Sequence, residues 1–284
     1  MNRARWATGV LLLGMGWGGS VLADLMAPLQ GMPLSIFGND DRIAVSVSEP
    51  PFRRLVRLTI QRLHAPSGTC TGALVGPNLV LTAAHCFHHR DPSAAIGVEL
   101  GREGSERFLV TEALGAPETG VAPEFAESHP GHWGDWAVLR LRADFGEVVG
   151  WFEVEESFTA RTEGVAVSVV LAGYRGDRQP RLAAHLGCHI RRVDADGTFG
   201  HDCDMVSGAS GAPLLSCTAL TDCRIVGVNI SEFYNALTGD RFSGGYADSV
   251  ANRGVQVGQF APAVARLRHE WPHGNVHPGS FRFD

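Results

Sequence analysis

Short apolar runs broken by turn residues dominate the chain. Leu55 to Ile60, Leu79 to Leu81, Ala137 to Leu141, Val165 to Leu171 and Ile225 to Ile230 are each a few residues long and rich in β-prone side chains. Glycine and proline punctuate them throughout, with 35 and 15 copies. Runs of this length between such residues predict an all-β protein, a sandwich or a barrel. A clear helical signal comes last. Val264, Leu267 and Trp271 recur at helical spacing, with Arg266, Arg268 and Glu270 between them. This predicts a C-terminal helix over about 259–271, docked on the β body. Residues 146–156 read as a crossing between two β units, about 45–145 and about 146–258. No internal repeat or low-complexity tract is present.

Composition narrows the class. At 284 residues and 44% hydrophobic, the chain can bury a real core. Its formal net charge is -6 and no basic block occurs, which argues against non-specific nucleic-acid binding by phosphate neutralisation. Arg3 and Arg5, the uncharged stretch from Trp6 to Trp17 and the small or neutral Val21-Leu22-Ala23 before Asp24 read as an export signal over 1–23. The competing reading is an uncleaved anchor, but Trp6 to Ala23 is only just long enough to span a bilayer and is rich in glycine. Cleavage leaves no membrane contact, and the expected location is extracellular or periplasmic.

The six cysteines then read as three disulfides. Sequence alone allows about 15 pairings. Local spacing suggests Cys70–Cys86, Cys188–Cys203 and Cys217–Cys223. Zinc is the competing reading, and no C-x-x-C pair supports it.

Three segments carry candidate chemistry. Hydrolysis of a peptide bond by a serine needs a base, a carboxylate that orients the base, and backbone donors for the oxyanion. Leu81-Thr82-Ala83-Ala84-His85-Cys86 places His85 after an apolar run, among small neighbours. His88 and His89 follow, but no H-E-x-x-H pattern supports a metal. Gly134-Asp135-Trp136-Ala137-Val138-Leu139 places Asp135 just before a strand, where a carboxylate can hold an imidazole in one tautomer; a turn or capping role is the plain alternative. Ser207-Gly208-Ala209-Ser210-Gly211-Ala212-Pro213 sets Ser210 among small residues. The N–H groups of Gly208 and Ser210 are the candidate oxyanion hole, where one lost donor typically costs about 3–4 kcal/mol. Ser243-Gly244-Gly245 is a similar serine turn without the following proline.

Together T-A-A-H-C, D-W-A-V-L-R-L and G-A-S-G-A-P, in the order His, Asp, Ser, resemble the chymotrypsin-like serine peptidases. Cys70 and Cys86, with C-T-G-A-L-V-G, look like that family's disulfide around the histidine. The likeness is strongest to the bacterial branch that includes the glutamyl endopeptidases. Phe37-Gly38-Asn39-Asp40-Asp41-Arg42 looks like the start of the mature enzyme, and Gly150-Trp151-Phe152 and His201-Asp202-Cys203-Asp204 look like further signatures. The resemblance covers roughly residues 35–270. It implies an all-β fold of two six-stranded antiparallel barrels with the site between them, catalytic residues His85, Asp135 and Ser210, protein or peptide substrates, no cofactor or metal, and a monomer. It also implies a short pro-segment over 24–34.

The chain departs from the pattern in places. Trypsin-type enzymes carry aspartate immediately before the nucleophile, to pair with a freed amine; this chain has Ala209. Asp204 stands where trypsin-type enzymes bind Lys or Arg, which points to cleavage after basic residues. The same aspartate spacing is usual in the glutamyl branch without that preference. Asn229 stands where glutamyl enzymes carry histidine, so cleavage after Glu is not implied. Asp204 and Asn229 are therefore candidate substrate-binding residues, with the preference open. The expected function is an exported serine endopeptidase. The alternative is a catalytically silent binding protein on the same fold, against which the three occupied positions argue. An α/β-hydrolase esterase would need glycine where Ala212 stands and a histidine after the serine.

Overall fold

Leu58 and Ile60 are fully buried while Thr59 and Gln61 turn outward, the period-two pattern of a strand with one face on a core. In the computed structural model this strand runs from Leu55 to Arg62. The structure describes residues 35–101, 109–156, 158, 166–176, 181–231 and 243–271; the expected export signal, the pro-segment and Val165 lie outside them. Two short strands, β1 (Ile36–Phe37) and β2 (Ile43–Ala44), come first. The first large sheet uses β3 (Leu55–Arg62), β4 (Ala65–Gly76), β5 (Leu79–Thr82), β6 (Gly97–Leu100), β7 (Leu109–Glu112), β8 (Glu118–Thr119) and β9 (Ala137–Arg140). The second uses β10 (Glu153–Val154), β11 (Val167–Tyr174), β12 (Leu182–Val193), β13 (Thr198–His201), β14 (Pro213–Ala219), β15 (Asp222–Ser231) and, beyond the two-residue β16 (Ser243–Gly244), β17 (Asn252–Gln256).

The second sheet closes on itself. Strands β11, β12, β13, β17, β15 and β14 pair in that order, and β14 returns to β11, all antiparallel. This is a six-stranded barrel without free edges among these strands. The first sheet runs β7-β6-β3-β4-β5-β9-β8 and curls into a half-barrel in which the chain just after β7 meets the chain just after β9. Its seam is one bridge, Ala113 with Leu141, flanked by Leu114 N–H to Arg140 O at 2.7 Å and Arg142 N–H to Glu112 O at 3.0 Å.

The crossing expected at 146–156 is anchored to both sheets. A short helix, Phe145–Val149, leads to Phe152, which is fully buried and donates its N–H to Leu74 O at 2.9 Å. Then β10 pairs with β15. The last helix, Ala261–Glu270, buries Val264 and Leu267 as its spacing predicts. All three disulfides are formed with the locally spaced pairing: Cys70–Cys86, Cys188–Cys203 and Cys217–Cys223.

Candidate active site

Register brings the first two candidate residues together. Strands β5 and β9 are antiparallel with Thr82 opposite Ala137. His85, three residues beyond Thr82, and Asp135, two residues before Ala137, therefore leave the sheet at the same end. His85 sits in a tight turn, Ala84–Phe87, among buried Ala83, Ala84 and Cys86. The Cys70–Cys86 disulfide fastens that turn to β4. Asp135 is 1% exposed and uses both oxygens on one residue. Oδ1 accepts the His85 backbone N–H at 2.9 Å, and Oδ2 lies 2.8 Å from His85 Nδ1. A carboxylate at that distance fixes the proton on Nδ1 and leaves Nε2 as the free base. Burial disfavours the imidazolium, but the charge of Asp135 and its hydrogen bond together outweigh burial, and the His85 pKa stands above its ordinary value.

Ser210 sits on a loop gripped from both sheets. Ala209 N–H donates to Val206 O at 3.0 Å, closing a turn whose third residue, Gly208, has φ +98°. That conformation needs glycine, and a Cβ there would come within 2.6 Å of Gly176 N and Tyr174 O. Ser207 O accepts from Gly176 N–H at 2.8 Å. In a trans peptide the next N–H points the opposite way, so the Gly208 N–H turns away from Gly176. The same logic governs Ser210. Ala209 O accepts from Asn229 Nδ2 at 2.9 Å and from Ala212 N–H at 3.0 Å, so the Ser210 N–H points away from Asn229. Neither N–H has an acceptor among the described residues.

Thr71 holds the loop from the first sheet. Its N–H donates to Ser210 O at 2.9 Å and its Oγ1 donates to Gly208 O at 2.8 Å. Gly211, at φ +81°, is pressed so close that a Cβ would lie 2.1 Å from Thr82 Oγ1 and 2.3 Å from Thr71 O. His85, Asp135, Gly208 and Ser210 all line one cleft of about 510 Å³. Ser210 Oγ makes no hydrogen bond to His85 in this geometry, which is common before substrate tightens a site. A base, its orienting carboxylate, a hydroxyl and two unengaged N–H groups thus converge.

The two candidate substrate-binding residues are placed elsewhere. The Asp204 side chain is fully buried. Oδ1 accepts from Phe37 N–H at 2.8 Å, and Oδ2 accepts from Asp41 N–H at 2.9 Å and faces His185 Nδ1 at 3.5 Å. Burial raises its pKa, while the backbone bonds pull the other way. Asp204 therefore clasps the segment around β1, and its neighbour Met205 lines the cleft instead. The inference of cleavage after basic residues loses its carboxylate. Asn229 is also fully buried, spent on the serine loop and on His201, whose Nε2 lies 3.1 Å from Asn229 Oδ1. Burial pushes the His201 pKa down to about 4.

Two clusters of potential metal donors have those donors engaged. Among the described residues, Cys188, Asp202 and Cys203 cluster, but the two sulfurs form a disulfide. Asp41, His185 and Asp204 also cluster, but His185 Nδ1 accepts the Asp204 N–H at 2.9 Å and the Asp204 oxygens accept backbone donors. His88 and His89 pack ring against ring, with centroids 3.8 Å apart. The sequence reading missed Thr71 and Gly176. Their only signal is position: Thr71 follows Cys70 in the C-T-G-A segment.

Comparison with known proteins fits this geometry. A family model described as "Trypsin-like peptidase domain" matches residues 70–228, more than half of the chain. A Bacillus subtilis (strain 168) protein named "Extracellular metalloprotease" is 32% identical over 141 residues, which is 48% of this chain and 44% of that protein. The "Glutamyl endopeptidase" of Bacillus licheniformis is 25% identical over 205 residues, 66% of this chain and 57% of that one. The chain thus spans about half the length of these curated relatives. The solved structure of a Glu endopeptidase in complex with MPD aligns with 83% of this chain and 100% of its own, with a TM-score of 0.61 at 20% identity, a likeness of fold.

Proposed function

The chain belongs to the trypsin-like peptidase family and has its chymotrypsin-like fold, and from that premise we propose that it is an exported serine endopeptidase acting through His85, Asp135 and Ser210. The observation that carries this reading is the pair of bonds from Asp135 to the His85 backbone N–H and to Nδ1, in the cleft that Ser210 also lines. In this mechanism His85 Nε2 takes the Ser210 proton as Oγ attacks the peptide carbonyl. Asp135 stabilises the imidazolium, and the Gly208 and Ser210 N–H groups receive the oxyanion. His85 then protonates the leaving amine, and the acyl group stays on Ser210. Water, activated by the same imidazole, releases the acid and restores the serine.

Export is part of the proposal, with residues 1–23 as a cleaved signal and 24–34 as a pro-segment. Three disulfides fit an oxidising compartment. Among the described residues no helix is long and apolar enough to cross a membrane. The units proposed are an N-terminal barrel over about 45–145, a C-terminal barrel over about 146–258 and the final helix, acting as a monomer on protein or peptide substrates.

The test is digestion of a diverse peptide library by the exported form and by Ser210→Ala, with a fluorophosphonate probe to report the serine. Turnover should fall by about 10⁶ and labelling should vanish in the variant. Retained cutting by a clean preparation of Ser210→Ala sinks the reading.

A further inference from the structure

Two charged side chains line the catalytic cleft without an ionic partner among the described residues: Arg62, at the end of β3, and Glu127, in the helix Pro123–Ser128. They do not pair with each other. They reach the cleft from two elements that meet the histidine turn separately. The β3–β4 hairpin is tied to that turn by Cys70–Cys86, and the helix packs directly on it. Both charges act on the imidazole, Glu127 favouring its charged form and Arg62 opposing it.

Arg62 is also held in place. Its guanidinium lies over Gly68 of β4, where a Cβ would come within 3.0 Å of Cζ and Nη2. Its Nε is shut from solvent and has no acceptor. The terminal Nη groups are not shut off in this way, and a carboxylate can accept charge-assisted hydrogen bonds from them. Glu127 is exposed at the rim and attracts a cation in the same way.

An extended peptide crossing the cleft advances about 3.3 Å per residue, so side chains a few residues from the cut bond reach either rim. We propose that Arg62 and Glu127 are specificity residues that make the cleft bipolar: the preferred substrate carries an acidic side chain for Arg62 and a basic one for Glu127, at two different positions. This rests on the peptidase reading above.

The experiment is the cut-site profile of the exported protein on a diverse peptide library, read by mass spectrometry beside Arg62→Gln, Arg62→Lys and Glu127→Gln. Wild type should enrich Asp or Glu at one fixed position and Lys or Arg at a second fixed position, each by roughly two- to five-fold, the range for exposed ion pairs. Arg62→Gln should erase the acidic enrichment alone, Glu127→Gln the basic enrichment alone, and Arg62→Lys should keep the acidic one. Enrichments that survive the neutral substitutions overturn the proposal, as does cutting by wild type without charge preference; both results leave the peptidase reading intact. Wild type that neither cuts nor takes the fluorophosphonate overturns both.

Discussion

The side-chain amide of Asn229 donates to the Ala209 carbonyl at 2.9 Å, and this bond sets where the Ser210 N–H points. The backbone of Asn229 adds two more bonds to the same loop, accepting from Gly211 N–H and donating to Ala212 O, each at 2.8 Å. Asn229 is fully buried and acts as a positioning residue. Asn229→Asp keeps the shape and removes the donor, setting a carboxylate oxygen against the Ala209 carbonyl. We expect kcat to fall by about 10–100-fold with KM little changed, since one oxyanion donor is misaimed rather than removed. Stability should fall by about 1–3 kcal/mol as the buried Ala209 carbonyl loses one of its two donors and faces a carboxylate oxygen. Steady-state kinetics and denaturant unfolding check both. An unchanged kcat in a destabilised protein would leave Asn229 a purely structural residue.

The His85–Asp135 pair gives a pH signature. The base must be neutral to take the serine proton, and its pKa stands above the ordinary value of about 6.5. Activity should therefore be complete at higher pH and be lost as pH falls through a value above 6.5. Asp135→Asn removes the charge that raises this pKa and leaves burial, which lowers it. The acid limb should then move to lower pH, while turnover near neutrality falls by about 10⁴-fold as tautomer control is lost. A pH profile of kcat/KM for both proteins decides this. An acid limb that stays in place would assign the titration to another group.

His201 titrates in the opposite sense and concerns stability. Burial pushes its pKa down to about 4 in the folded protein, against an ordinary value of about 6.5. Between these values the unfolded chain binds a proton that the native state refuses. Its contribution is complete above pH 6.5 and lost as pH falls toward 4, by up to about 3 kcal/mol. His201→Gln removes the titration. From pH 7 to pH 4.5 the wild type should lose about 2–3 kcal/mol more unfolding free energy than the variant. Parallel losses would show that His201 opens to solvent on acidification.

Much of this was legible in the sequence, for physical reasons. Apolar strands such as Leu79–Thr82 and Asp222–Ser231 announce themselves because both faces, or one whole face, are buried. His85, Asp135 and Ser210 stand out as candidates because such chemistry needs unusual local company, small residues around a reactive group. The two longest strands were less visible. Ala65–Gly76 and Leu182–Val193 mix glycine, threonine, histidine and arginine, since the first runs out into solvent at its amino end and the second is exposed in its middle, at Leu186 and Gly187. The side-chain directions of Asp204 and Asn229 were not legible, because spacing from the nucleophile says which loop a residue is on, and not which way its side chain turns. The direction depends on partners far away in the chain, such as Phe37 for Asp204 and Ala209 for Asn229.

The Asp204 clasp yields the last prediction. Its two oxygens accept the Phe37 and Asp41 N–H groups, while the next residue, Met205, donates its N–H to Ser35 O at 3.3 Å and lines the cleft. The segment around β1 is thereby tied to the stretch that leads into the Val206–Ala209 turn. Asp204→Asn replaces one acceptor with a donor, so one backbone N–H must face an N–H₂ group. The loss should be about 1–3 kcal/mol, concentrated in that segment. Hydrogen exchange should speed at the Phe37 and Asp41 amides by about 5- to 150-fold, the same free energy read locally. If the segment also steadies the oxyanion turn, kcat should fall with it. Faster exchange with an unchanged kcat would mean that the clasp fastens the amino end of the domain and leaves the serine loop to Thr71 and Asn229. Unchanged exchange would mean that the parallel pairing of Ile36 and Phe37 with Ser243 and Gly244 holds the segment without Asp204.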